Sequence, residues 1–252
     1  MMENREKPTI LLIPGAYHQG SAFEPVATIL RQQGYQAKTI TLLSAGGPAS
    51  TTVHDDAEYI QKSYLDELVS QGKEVILVLH SYAGVPGTES VKGHARKDLV
   101  AQGKKGGVVG LVYLAAFLIP AGASVETIVP GGLDPLMTLV GDMMQPKNPR
   151  ETFYSDLGDE TAAKHLAALI PHAPESMRTP LTYEAYRDVS TSYIICTRDA
   201  VFQAVAQKRM ADSPGEGVVR KYEVDGGHCA MLGQSQAVAD VIHDVATRVA
   251  AA

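Results

Sequence analysis

Only two of the 252 residues are cysteine. Cys196 sits in an apolar run and Cys229 in a glycine-rich turn, with neither metal-ligand nor redox spacing, so no disulfide framework supplies the stability. No run of about 18 apolar residues occurs, and the start "MMENREKPTI" holds no apolar stretch of signal-peptide length. The expectation is a cytoplasmic protein with no membrane contact. Positive charge is also short, 22 Lys and Arg against 28 Asp and Glu, which leaves no basic face for a nucleic-acid partner. No histidine and carboxylate cluster suggests a metal, and "GGLDPLMTLVGDMM" lacks the strand and helix flanks of a phosphate loop. No cofactor is expected. Repeats and low-complexity linkers are absent too.

What remains is ordinary for a globular chain. Hydrophobic residues at 45% and charged residues at 20% exclude disorder and leave one large domain as the simplest organisation. Short apolar runs alternate with longer amphipathic ones, as in strands joined by crossover helices. "TILLI", "QAKTITL", "EVILVL", "GVVGLVYLAA", "SYIICT" and "GVVRKYEV" read as strands. "FEPVATILRQQGY", closed by Gly34, "DDAEYIQKSYLDELVSQG" and the final "SQAVADVIHDVATRVAAA" read as helices. These elements predict a doubly wound, mostly parallel α/β sheet with helices on both faces. The alternation stops between Pro120 and Ser190, where Pro, Gly, Met and Asp accumulate and "DETAAKHLAALI" is the one clear helix. Residues 1–119 and 191–252 are therefore expected to form the core, and 120–190 a lid over the carboxyl ends of the strands.

Three chemically useful residues each stand just beyond a predicted strand. Ser81 follows "EVILVLH", Asp199 follows "SYIICT", and His228 follows "VVRKYEV" in the turn "DGGHCAML". A serine hydroxyl is a poor nucleophile until a base removes its proton, and that base needs an acid to hold it. The order Ser, Asp, His identifies the scaffold. Taken alone, Ser81 would be a turn or helix-cap residue and Asp199 a helix cap, with Asp188 and Asp225 as rival acids.

On these residues the chain resembles the α/β-hydrolases. "IPGAYHQGSAFEPVATILRQQGY" is similar to the branch containing plant methyl esterases and hydroxynitrile lyases, and "HSYAGVPGTESVKG" and "GGVVGLVYLAAFLIP" to its small fungal members. The resemblance implies Ser81 as nucleophile, His228 as general base and acid, and Asp199 as its orienting carboxylate. It also implies an oxyanion hole from the backbone N–H groups of Ala16 and Tyr82. Tyr17, His18, Met137 and His172 are further candidates for substrate contact, and Met143, Met144 and Met177 could line an adaptable apolar pocket or pack the lid. His80 is expected to face away from the site, and the other histidines to be structural.

Two departures bear on the activity. The G-x-S-x-G elbow has Leu79 and Ala83 in place of its glycines, though Gly84 follows at once. The lyases of the branch carry a lysine after the triad histidine and a threonine in the first loop, where this chain has Cys229 and Gly15. The activity implied is cofactor-independent hydrolysis of a small, largely apolar carboxylic ester or lactone. A lyase, isomerase or cyclase working by proton transfer through Ser81 and His228 is the alternative, and a small-molecule receptor comes third. A small-molecule substrate is the expected partner, with a homodimer left open.

Overall fold

The computed structural model describes residues 6–251, so the first five residues of the amino-terminal stretch and Ala252 of the last predicted helix lie outside the described residues. Six strands form one parallel sheet: β1 (Thr9–Ile13), β2 (Ala37–Thr39), β3 (Glu74–His80), β4 (Gly107–Leu114), and then β7 (Ser190–Cys196) and β8 (Val219–Val224). Their order across the sheet is β2-β1-β3-β4-β7-β8, with every pair parallel. The chain starts near the middle and winds out to one edge and then the other. Crossover helices cover both faces, which is why β3 and β4 are apolar almost throughout: they have no solvent side.

Two apolar cores result, one on each face. Leu11, Leu77, Leu79, Tyr113 and Tyr193 point into one, Ile10, Leu12, Ile76, Val78 and Ile194 into the other. The long helix Ser235–Ala251 buries Val238, Ile242, Val245 and Val249 against the second face. The predicted helix over 55–72 begins earlier, at Val53, and passes through a π-helical turn at Gln61–Leu65. No helix among the described residues is long and apolar enough to cross a membrane.

The segment between β4 and β7 holds more structure than its composition predicts. Beside the helix Asp159–Ala167 it contains the short helices Val125–Ile128, Pro149–Phe153 and Pro174–Arg178. It also contains an antiparallel hairpin of β5 (Met137–Val140) and β6 (Met143–Pro146). The hairpin turns at Gly141, in a positive-φ conformation, and Asp142, a pair of turn residues that was the available signal. His172 stitches this segment to the core through backbone bridges to Ala45 and Met144.

Candidate active site

The carboxyl ends of β3, β7 and β8 deliver one side chain each to the same place. Ser81 follows β3 at φ 52°, a left-handed conformation that a serine holds only where surrounding structure enforces it, at a cost of about 1–3 kcal/mol. It starts a 3-10 turn that runs into the helix Gly84–Glu89. His228 Nε2 lies 3.0 Å from Ser81 Oγ, and His228 Nδ1 lies 2.9 Å from Asp199 Oδ2. With Nδ1–H donating to the carboxylate, Nε2 keeps its lone pair toward the serine hydroxyl. All three are buried. The rival acids are engaged elsewhere: Asp188 pairs with Lys97 and accepts from Tyr183 Oη, and Asp225 pairs with Arg198.

The elbow accommodates Leu79 by moving the missing glycine. A Cβ on Gly87 would stand 2.1 Å from Leu79 Cδ2, so the helix after the nucleophile is hollowed where the strand before it is bulky. Gly84 is needed on the other side, since a Cβ there would stand 2.2 Å from the Phe117 carbonyl. The loop after β1 comes equally close. A Cβ on Gly15 would stand 2.6 Å from Ser81 Cβ and 3.1 Å from Tyr82 N, so the loop that carries Ala16 lies against the serine elbow.

Several residues that hold this geometry were not legible as functional. His80, expected to face away, instead lies inside the site: its Nδ1 accepts from Gly15 N–H at 3.2 Å and its Nε2 donates to the His228 carbonyl at 3.0 Å. Burial, and then the neighbouring His228, hold the His80 imidazole well below the ordinary histidine range, so it stays neutral in this tautomer. Gln207 donates from Nε2 to Asp199 Oδ2 at 3.2 Å and accepts from Cys196 N–H at 2.9 Å. Asp199 Oδ1 accepts from Val201 and Phe202 N–H at 2.7 and 2.9 Å, so both carboxylate oxygens are engaged. Asp156, from the segment after β4, accepts from Gly227 N–H at 2.6 Å and buttresses the histidine turn. His80 and Asp156 meet partners 65 to 148 residues away, which leaves no local pattern in the sequence.

His18 does line the site cavity, as do Tyr17 and Met137. His18 Nδ1 donates to the Ala16 carbonyl at 2.7 Å while its Nε2 accepts from Tyr154 Oη at 2.9 Å, and burial lowers its pKa to about 4. Tyr17 stands at φ 68° with its hydroxyl 3.6 Å from Met137 Sδ. Met177 lines the cavity too. His172 requires a correction: it is fully buried behind Tyr17 and Tyr82, bonded through Nε2 to Ser176 Oγ at 3.0 Å, and is absent from the cavity wall. Its role is packing between the inserted segment and the core. Met144 joins it there, pairing with the His172 backbone.

A model of the alpha/beta hydrolase family matches residues 10–241. The chain belongs to that family. It is 28% identical over 250 residues to the alpha/beta hydrolase nvfD of Aspergillus novofumigatus, covering 95% of this chain and 97% of that protein. It is 26% identical over 228 residues to methyl jasmonate esterase 1 of Vitis vinifera, covering 83% of this chain and 85% of the relative. Among solved structures, a pyrethroid hydrolase from Sphingobium faniae JZ-2 superposes with a TM-score of 0.72 at 23% identity, covering 95% of this chain and 97% of its own, a likeness of fold.

Proposed function

We propose that this hydrolase cleaves a carboxylic ester through an acyl-enzyme on Ser81. The observation that carries this is the unbroken relay Asp199, His228, Ser81, bonded at 2.9 and 3.0 Å, which ends on a serine facing an apolar chamber. Ser81 Oγ attacks the ester carbonyl as His228 Nε2 takes its proton, and Asp199 steadies the imidazolium that forms. The Ala16 and Tyr82 N–H groups receive the oxyanion. His228 then protonates the departing alkoxide, and a water deprotonated by the same imidazole attacks the acyl-enzyme to release the acid.

Tyr17, Leu133, Leu136, Met137 and Met177 in the chamber wall favour a small, apolar reacting end, with residues 120–190 acting as the lid. Lactones fall within the same chemistry. Esterase and hydrolase names among the relatives support the reading. The test is ester turnover by the wild type, Ser81→Ala and His228→Ala. Turnover abolished in both variants is expected; unchanged turnover in Ser81→Ala rejects the mechanism.

A further inference from the structure

The chamber over Ser81 is too small for a whole substrate. Its free volume is about 50 Å³, in a measure where one water needs about 10–15 Å³, so it takes a few heavy atoms at most. Immediately beside it lies a groove of about 620 Å³, the size of an ordinary ligand site. One wall is the stretch from Phe117 through Ile128 and Leu136; the other is the loop after β7 and the helix Ala204–Asp212. The two spaces share Phe117, Val129, Leu136, Val201 and Phe202.

The partition is an aromatic pair. Phe117 and Phe202 meet edge to face with centroids 4.5 Å apart, and Phe202 stands 5.5 Å from the His228 ring. Ile128, Val129, Leu136, Val201, Phe202 and Met210 are apolar yet only half-buried, so the groove wall is left with apolar surface that an apolar ligand would cover.

From this we infer that the groove is the site for the long arm of an asymmetric ester: a short group enters the chamber, and a bulky apolar arm passes the Phe117 and Phe202 pair into the groove. The inference rests on the ester-hydrolase reading and narrows its substrate class. Each methylene buried in the groove is expected to raise kcat/KM about fourfold, the factor for burying about one CH₂ of apolar surface.

The experiment measures kcat/KM for two ester series, one lengthened on the acyl side and the other on the alcohol side, with chains of about two to ten carbons. It uses the wild type, Ala206→Trp, which narrows the groove from its helix wall, and Ile128→Trp, which narrows it from the opposite wall. The proposal expects one series to gain at least about tenfold with length in the wild type, and the long-to-short ratio to collapse in both variants. A wild-type ratio near one in both series, or a ratio that survives both tryptophans, overturns the groove while Ser81-dependent ester turnover stands. No turnover of any ester overturns the ester-hydrolase reading and the groove proposal with it.

Discussion

The imidazole of His80 donates to the backbone carbonyl of His228 at 3.0 Å, so the residue before the nucleophile holds the turn that carries the base. Its other nitrogen holds Gly15 N–H, next to Ala16. One neutral ring thus ties together the serine elbow, the loop after β1 and the histidine turn.

Replacing His80 by alanine frees two of those three parts. Misplacement of reacting groups by about 1 Å can cost about a hundredfold in rate. His80→Ala is expected to lower kcat by about ten- to a hundredfold with KM nearly unchanged, read from steady-state kinetics on a short ester. A rise in KM with kcat intact would place His80 in ground-state binding instead.

Gln207 touches neither Ser81 nor His228 and acts on the relay through Asp199 Oδ2 and the Phe202 carbonyl. Gln207→Leu removes the donor to Asp199 Oδ2 and loosens the carboxylate that orients His228, so it is expected to lower kcat by about tenfold with KM nearly unchanged on a short ester, read from steady-state kinetics. Gln207→Glu, which places an acceptor where the donor stood, should lose at least as much. Unchanged kcat in Gln207→Leu would show that Asp199 is held without it.

The packing of Leu79 on Gly87 predicts strong coupling between them. Gly87→Ala forces a methyl group against Leu79 and should cost about 1–3 kcal/mol or more. Leu79→Ala leaves a cavity and should cost about 2–5 kcal/mol. The double variant should be clearly more stable than the two losses added together, because each change makes room for or fills the other. Denaturant unfolding of the four proteins measures this; simple additivity would mean that the elbow does not depend on the pair.

Stability should also fall steeply in acid. Burial holds His18 at about 4 and His172 at about 3, below the 6.5 of an unfolded chain, so the unfolded state gains protons first as the pH drops through 6.5. At pH 5 each contributes about 2 kcal/mol of lost stability relative to neutral pH. Asp56 acts in the opposite sense: burial raises it to about 6, so acidification from pH 7 to pH 5 relieves about 1 kcal/mol. The histidines win, and the melting temperature should drop between pH 6.5 and pH 4.5. Asp56→Asn should steepen that drop by removing the compensating group.

The sheet and the order of its three strand-end residues were legible because each is carried by a local pattern: an apolar run, a turn, then a polar side chain. Ser81, Asp199 and His228 are read this way. The place of His80 is not legible, because alternation along β3 predicts only which face a side chain takes, whereas its bonds to Gly15 and His228 span 65 and 148 residues. Asp156 is hidden in the same way, 71 residues from Gly227, whereas Gln207 stands only eight residues from Asp199 but on a helix whose sequence gives no sign that this side chain turns back to the strand end. The β5 and β6 hairpin escaped because β5 is largely exposed and lacks the apolar alternation that marks a strand. Leu79 reads in the sequence as a departure from the elbow pattern, and what accommodates it, Gly87 in the following helix, shows only in the packing.

The most direct measurement is the intact mass of the protein after exposure to a serine-reactive fluorophosphonate, for the wild type and Ser81→Ala. A single adduct on the wild type that vanishes in the variant is the predicted result. A folded wild type that takes up no label, or a variant labelled as fully as the wild type, would contradict Ser81 as the nucleophile.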